Sequence, residues 1–229
     1  MLNQNTRNVL GQLGSINNSM IITYPVSTII MGKSVQAFLN LEKLGETEFD
    51  EIGLFNISEF NSVINVIDDP EITNNDGTLT ISNGSNSIKY GTTSIDIIES
   101  ECRGNPGLID KVKENEKVAS FSLSLKELDR IKKMSGLLKD LSDLVITSDG
   151  NDISIVVTSK ERSSNNYTVQ LEGNSTENIS LTMVMEVISK LPASDFEVSV
   201  YKSKKGSLVA VFDSVNVDGL SLIIAAKAV

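Results

Sequence analysis

The chain has 229 residues, of which 20 are Lys or Arg and 30 are Asp or Glu, so its formal net charge is −10. It contains no His and one Cys, which excludes a Ser-His-Asp triad, a Cys-His nucleophile, a His-ligated metal site, an internal disulfide and a thiolate metal cluster. The apolar fraction of 40% is typical of a globular protein, and no apolar run is long enough to predict a membrane span.

Four segments have the apolar spacing of an amphipathic helix. They are, in chain order, residues 6–16, the residues after Ser58, the residues after Ser124, and the residues after Asn178 or Ser180 up to Pro192. Ser58 and Ser124 are favourable N-caps, and Glu127 completes the sequence of a capping box with Ser124. A helix cannot continue through Pro192, which predicts the end of the fourth one.

The rest of the chain alternates apolar and polar residues, which predicts half-buried strands joined by tight turns. Examples of the predicted strands are residues 52–57, 152–157 and 196–201. The predicted hairpin turns are residues 74–77, 83–85, 149–151 and 204–206, which are rich in Asn, Asp and Gly.

The helices are spaced so that the chain reads as two copies of one pattern. Their centres lie near residues 9, 63, 132 and 186, so each helix recurs after about 123 residues. We therefore predict an α+β protein with an N-terminal domain over 1–102, a linker over 103–117 and a C-terminal domain over 118–229. Each domain is expected to pack two helices on one face of an antiparallel sheet. Residues 87–90 and 166–171 are candidate edge strands, and one edge at each end permits head-to-tail assembly into a ring.

The charge is distributed unevenly. Residues 1–100 hold 4 basic and 12 acidic side chains, and residues 101–229 hold 16 and 18, which leaves −8 and −2. Residues 126–139 carry five basic side chains against two acidic ones, a local balance of +3, on the predicted third helix. Leu128, Ile131 and Leu138 define its buried face, so Lys126, Arg130 and Lys133 are expected to face away from the core. This run is either an ordinary solvated face or a phosphate-binding surface.

The order and spacing of several segments resemble the DNA polymerase sliding clamps of T-even-type phages. The resemblance is carried by Ser15-Ile16-Asn17-Asn18-Ser19, by the helix after Ile57 that ends in Val66-Ile67-Asp68-Asp69-Pro70-Glu71-Ile72, by Ser87-Ile88-Lys89-Tyr90, by Val118-Ala119-Ser120, by residues 125–138 and by Val145-Ile146-Thr147. None of these segments is a catalytic motif.

The resemblance implies a DNA-clamp fold and a homotrimeric ring of six similar domains that encircles double-stranded DNA. It implies a non-enzymatic processivity factor without a cofactor or metal, which tethers the replicative DNA polymerase and is loaded by a separate ATP-dependent clamp loader. The residues implied to face DNA are Arg7, Lys126, Arg130, Lys132, Lys133, Lys139 and Lys190. The residues implied at the subunit interface are Ile88, Tyr90, Tyr167 and Val169. The residues implied to line a pocket for partner proteins are Leu108, Ile109, Val112, Ile223 and Ile224.

The implied ring can be checked against helix dimensions. Three chains with four helices each place 12 helices around the hole, and axes about 9–10 Å apart lie on a circle about 35–38 Å across. Subtracting about 10 Å for the inward halves of two helices leaves a hole of about 25–28 Å, which admits a hydrated duplex. Two chains would leave only about 15 Å by the same reasoning, so two domains per chain favour the trimer.

An alternative function is a strand-rich structural protein of a virion or surface that assembles by edge-strand pairing. That alternative accounts for the strands but not for the four regularly spaced helices or the basic helix. Because the N-terminus lacks the pattern of a secretory signal, we expect a cytoplasmic protein, in an infected host cell if a phage encodes it.

Overall fold

The computed structural model describes residues 2–32, 34–46, 51–75, 77–138, 141–150, 152–159 and 165–227. The chain forms two compact units. Unit 1 comprises Met1–Gly32, Gln36–Pro106 and Asp218–Leu220, and unit 2 comprises Lys33–Val35, Gly107–Val217 and Ser221–Val229. The predicted division into 1–102, 103–117 and 118–229 stays a prediction.

Unit 1 combines helices with two antiparallel sheets. Its elements are α1 (Gln4–Leu13), β1 (Met20–Ile22), β2 (Val26–Met31), β3 (Val35–Asn40, of which Val35 is assigned to unit 2), β4 (Ile52–Leu54), α2 (Ile57–Ile64), β5 (Glu71–Asn75), β6 (Thr78–Ser82), β7 (Ser87–Gly91) and α3 (Ile95–Cys102). One sheet has the order β3-β2-β1-β4 and the other has the order β5-β6-β7.

The core of unit 1 forms where α1 and α2 pack against each other. Leu10 and Leu13 of α1 and Phe60 of α2 are almost completely buried there. On β1, α3 buries Ile98 and Cys102 against Ile21. All three residues of β1 are buried, which explains why β1 is a continuous apolar run rather than an alternating one.

Unit 2 repeats the order helix, strands, helix, strands after one additional helix and strand. Its elements are α4 (Leu108–Lys113), β8 (Glu116–Leu123), α5 (Leu125–Leu137), β9 (Asp143–Asp149), β10 (Ile153–Thr158), β11 (Tyr167–Leu171), β12 (Gly173–Ser175), β13 (Asn178–Val184), α6 (Met185–Ser189), β14 (Phe196–Lys202), β15 (Leu208–Ser214) and β16 (Leu220–Ala225, of which Leu220 is assigned to unit 1). Its strands have the orders β11-β10-β9-β13 and β12-β8-β14-β15-β16. The predicted α+β class with helices on antiparallel sheets is confirmed.

Two predicted helices differ from the structure. The N-cap of α2 is Asn56, whose side-chain oxygen accepts a hydrogen bond from Glu59 N at 2.9 Å, and Ser58 lies inside the helix. The fourth helix begins only at Met185, because residues 178–184 form β13 and pair with β9 along their whole length. Ile179, Leu181 and Met183 alternate as buried side chains along that strand.

The turns agree with the prediction where the structure describes them. Gly84 and Gly206 have φ values of 86° and 83° in the turns after β6 and β14, a conformation that glycine adopts without strain. Asp76 and Asn151 of two other predicted turns lie outside the described residues. Among the described residues, no helix is long and apolar enough to cross a membrane.

Candidate nucleic-acid interface

The basic surface predicted on the third helix is the outer face of α5. The capping box is present: Ser124 Oγ accepts from Glu127 N at 3.2 Å, and Glu127 Oε2 accepts from Ser124 N at 3.0 Å. Leu128 and Ile131 of α5 are fully buried. The predicted orientation of α5 is therefore confirmed at these two residues, whereas Leu138 is the half-buried C-cap.

Three basic side chains lie on the exposed face of α5. Lys126, Arg130 and Lys133 are all exposed, and the exposed carboxylate of Asp129 lies among them in sequence. The exposed face thus carries 3 − 1 = +2 charges on a chain whose net charge is −10. This face can bind an extended polyanion through non-specific phosphate contacts.

Lys132 is oriented differently from these three. Its Nζ donates a hydrogen bond to the Leu191 carbonyl oxygen at 2.8 Å. Burial lowers the pKa of the Lys132 ammonium below its ordinary value, and the nearby charge of Asp129 opposes that change. The side chain fastens the middle of α5 to the segment after α6, so its ammonium is engaged within the protein.

Arg7 was expected to face DNA, and the structure corrects this expectation. Arg7 is 7% exposed. Its Nη1 donates to the Ile64 carbonyl oxygen at 3.2 Å and to Asn65 Oδ1 at 3.3 Å, and its Nη2 donates to Gln4 Oε1 at 2.8 Å. The guanidinium thus joins α1 to the C-terminal end of α2, where a positive charge is favourable. Its burial therefore keeps the guanidinium from contact with DNA.

The remaining predicted basic residues have separate positions. Lys190 is the C-cap of α6, is half-buried, and its Nζ lies 3.1 Å from Glu186 Oε1. Lys139 lies outside the described residues.

With Arg7 buried, α1 and α2 expose no cation. Their exposed side chains are polar or acidic: Gln4, Asn5, Asn8 and Gln12 on α1 and Ser58, Glu59 and Ser62 on α2.

The two predicted edge strands are edges of their sheets in the described part of the chain. β7 ends the order β5-β6-β7, and β11 ends the order β11-β10-β9-β13. Ile88 and Tyr90 on β7, and Tyr167 and Val169 on β11, are all half-buried. Each strand therefore has an outer edge and a partly covered apolar stripe, both of which an added strand could complete.

The residues proposed for a partner pocket are divided between two sheet faces. Lys113 of α4 forms an ion pair with Asp213 of β15 at 3.0 Å. Val211, two residues before Asp213, lies opposite Ile223 of β16, so Ile223 belongs to the sheet face that α4 contacts. Ile224 belongs to the opposite face and is fully buried, which removes it from the predicted pocket.

The other three pocket residues lie on α4 itself. Leu108 and Ile109 are half-buried and Val112 is buried. Neither α4 nor α3 was predicted, because residues 103–117 are polar and contain Gly and Pro, and because helices of six and eight residues give little periodicity.

One residue that positions the basic surface was missed. Asp195 Oδ1 accepts a hydrogen bond from Leu125 N at 2.7 Å and so supports the first turn of α5 from a segment 70 residues away. No local sequence signal marks such a long-range contact. The capping box, in contrast, was visible because its two partners are three residues apart.

No family model and no curated protein sequence matches the chain. The structure is similar to a crystal structure of Proliferating Cellular Nuclear Antigen from Entamoeba histolytica, with a TM-score of 0.65 and 16% identity over 97% of this chain and 94% of that one. It is also similar to a chain in a structure of the C-terminal region of FEN-1 bound to A. fulgidus PCNA, with a TM-score of 0.66 and 14% identity over 97% of this chain and 95% of that one. The chain therefore has the fold of the PCNA clamps over nearly its whole length.

Proposed function

We propose that the chain is a DNA polymerase sliding clamp, a non-enzymatic processivity factor that encircles duplex DNA during replication. The observation that carries the proposal is the fold, which the chain shares with PCNA structures over 97% of its length. The alternative of a virion or surface structural protein is not favoured by this likeness. The order of segments described above further favours a clamp of the T-even phage type, acting in the cytoplasm of an infected cell.

The proposed assembly is a homotrimeric ring in which β7 of one subunit pairs with β11 of the next. Support comes from the outer edges of these two strands and from the half-buried stripes beside them. Pairing would extend both sheets and cover Ile88, Tyr90, Tyr167 and Val169. These four residues are the proposed subunit interface.

The proposed DNA-facing residues are Lys126, Arg130 and Lys133 on α5, with Lys139 and Lys190 as additional candidates. The net charge of a trimer is 3 × (−10) = −30, so attraction to DNA has to be confined to a small surface. Three cations per chain suit a sliding protein, because each phosphate contact has to break at every step.

The proposed site for partner proteins lies beside α4 and includes Leu108, Ile109, Val112 and Ile223. We propose that the replicative polymerase and an ATP-dependent clamp loader bind there. In the A. fulgidus structure the bound partner is a C-terminal region of FEN-1, so a terminal segment of a partner is the kind of ligand to test.

The decisive experiment is retention on DNA of different topology. Clamp loaded with its cognate loader and ATP onto nicked circular DNA should remain on the circle through gel filtration. It should be lost within minutes after a restriction enzyme linearises the circle, because a ring can slide off a free end. Clamp incubated without loader provides the control. Equal retention on circular and linear DNA would exclude topological binding.

A further inference from the structure

A cleft in unit 1 lies beside the outer edge of β7. Its volume is about 410 Å³, and its lining includes Phe55, Glu59, Tyr90 and Thr92. The Tyr90 hydroxyl donates to the Asn56 carbonyl oxygen at 3.3 Å, which holds the ring in place. Phe55 is 67% exposed, which is unusual for so large an apolar side chain. The cleft thus offers an aromatic surface next to a carboxylate.

The backbone of β7 shows which residues are available for pairing. Thr92 N donates to the Gly77 carbonyl oxygen at 2.9 Å, and Asn83 N donates to the Asn86 carbonyl oxygen at 3.1 Å. These bonds fix the alternation along the ladder, because the backbone groups of successive residues in an antiparallel strand point to opposite sides. Even-numbered residues of β7 bond to β6, and residues 87, 89 and 91 point their N–H and C=O groups outward.

The side chains limit how β11 of another subunit can pair there. Ile88 and Tyr90 lie opposite the buried Ile81 and Leu79, so they are on the core side of their sheet. Tyr167 and Val169 lie opposite the buried Val157 and Ile155, so they are on the core side of theirs.

Residues directly opposite each other share a face, and a shift of one residue would exchange the two faces. The register that pairs all four half-buried side chains with one another places Ile88 opposite Val169 and Tyr90 opposite Tyr167. Lys89 would then exchange backbone hydrogen bonds with Thr168, which agrees with the outward direction of the N–H and C=O groups of Lys89. Tyr90 and Tyr167 would form a non-hydrogen-bonded pair, in which side chains are closest.

We propose that the cleft is the receptor for Tyr167 of the partner subunit, whose ring packs on Tyr90 and whose hydroxyl donates a hydrogen bond to the Glu59 carboxylate. This inference rests on the proposed trimer and adds the register and the residue that specify its interface. A phenol supplies both the apolar ring that covers the exposed Phe55 and the donor that Glu59 can accept.

The register is tested by disulfide trapping. The double variant Ile88→Cys/Val169→Cys should form a disulfide between subunits under mild oxidation and give bands at two and three chain masses on a non-reducing gel. The matched control is Ile88→Cys/Thr168→Cys, which places the second cysteine on the opposite face of β11 and should stay at one chain mass. The native Cys102 is fully buried and is present in both variants.

Occupancy of the cleft is tested by a double-mutant cycle on trimer dissociation, followed by native mass spectrometry on dilution. With Glu59 present, Tyr167→Phe should raise the protein concentration at which half of the trimer dissociates by about tenfold. In the Glu59→Ala background the same substitution should raise it by no more than about twofold. In the Glu59→Gln background, which keeps a hydrogen-bond acceptor, Tyr167→Phe should again raise this concentration by most of the tenfold effect.

The outcomes separate the two proposals. A trimer that shows neither the trapped disulfide nor coupling between Glu59 and Tyr167 would overturn the cleft assignment and leave the ring intact. A wild-type chain that is monomeric at micromolar concentration would refute the ring itself, and the cleft assignment with it.

Discussion

Two of the basic side chains that the resemblance implied to face DNA, those of Arg7 and Lys132, have structural roles instead. Arg7 joins α1 to the end of α2, and Lys132 joins α5 to the Leu191 carbonyl. In both, the charged group donates to a backbone carbonyl at the end of a helix or turn. Such contacts depend on residues about 60 positions away in the sequence, so a helical wheel cannot distinguish them from solvent-facing cations.

Replacing Arg7 should destabilise unit 1. In Arg7→Ala the Ile64 carbonyl and two side-chain amides lose a charged donor in a buried site, so the free energy of unfolding should fall by about 2–4 kcal/mol. Urea denaturation followed by circular dichroism measures this change. Lys126→Ala, at an exposed position, is the control and should change stability by less than about 0.5 kcal/mol. Equal effects of the two variants would contradict the assignment of Arg7 to the core.

Lys132 should make stability depend on alkaline pH. Because burial lowers its pKa in the folded protein below the ordinary 10.5, the unfolded chain binds more protons between the lowered pKa and 10.5. The contribution of this group to the free energy of unfolding therefore rises with pH across that window. Lys132→Met removes the rise, so the stability of wild type relative to the variant should increase with pH. Urea titrations at several alkaline pH values measure this difference, and a constant difference would contradict the prediction.

At the scale of elements, α5 was predictable because its signals are local. Ser124 and Glu127 are three residues apart, and Leu128 and Ile131 fall on one face. The boundary between β13 and α6 was not predictable in the same way, because this segment fits two patterns. Helical spacing is satisfied by Leu181, Val184, Met185 and Ile188. Strand alternation is satisfied by residues 179, 181 and 183. Pairing with β9, which decides between the two, is a long-range interaction.

The exposed face of α5 should matter for DNA and not for assembly. The triple variant Lys126→Ala/Arg130→Ala/Lys133→Ala should weaken polymerase stimulation several-fold at physiological salt, because it removes three phosphate contacts per chain. Native mass spectrometry should show that the trimer is retained.

The matched control is Lys117→Ala/Lys204→Ala/Lys205→Ala, which removes the same charge from exposed positions of unit 2 outside α4 and α5. If both triple variants lower stimulation equally, the effect comes from net charge rather than from α5. Loss of the trimer in the α5 variant would instead assign these side chains a structural role.

At the scale of the whole molecule, two kinds of interaction should respond differently to salt. The proposed subunit contacts consist of backbone hydrogen bonds and apolar side chains. The proposed DNA contacts consist of ion pairs between Lys or Arg side chains and DNA phosphates. Raising NaCl from about 0.1 M to about 0.5 M should therefore leave the trimer intact and weaken the direct binding of the chain to linear duplex DNA. Sedimentation velocity and fluorescence anisotropy measure the two quantities. A trimer that dissociates with salt would mean that ion pairs hold the subunits together.

The duplicated order of helices and the two edge strands followed from periodicity and turn residues alone. The helices α3 and α4 did not, because each is short and each gains its stability from the sheet face that it covers, as Ile98 does against Ile21. The position of Ile224 outside the pocket was not predictable for a different reason. Strand β16 is buried on both faces, so its sequence does not reveal which side chain points toward α4.

Of the helices α1, α2 and α5, only α5 exposes cations, and this has a consequence for movement along DNA. In the proposed ring the positive faces of α5 recur at 120°, separated by the faces of α1 and α2, which expose no cation. The backbone of a duplex rotates by 120° in a third of a helical turn, which is about 3.5 base pairs or about 12 Å, so after this advance a strand that lay beside one α5 lies beside the next. A ring that rotates with the helix keeps each α5 beside the same phosphate strand, whereas a ring that translates without rotation carries each α5 across a groove. The charge pattern therefore couples advance along the DNA to rotation around it.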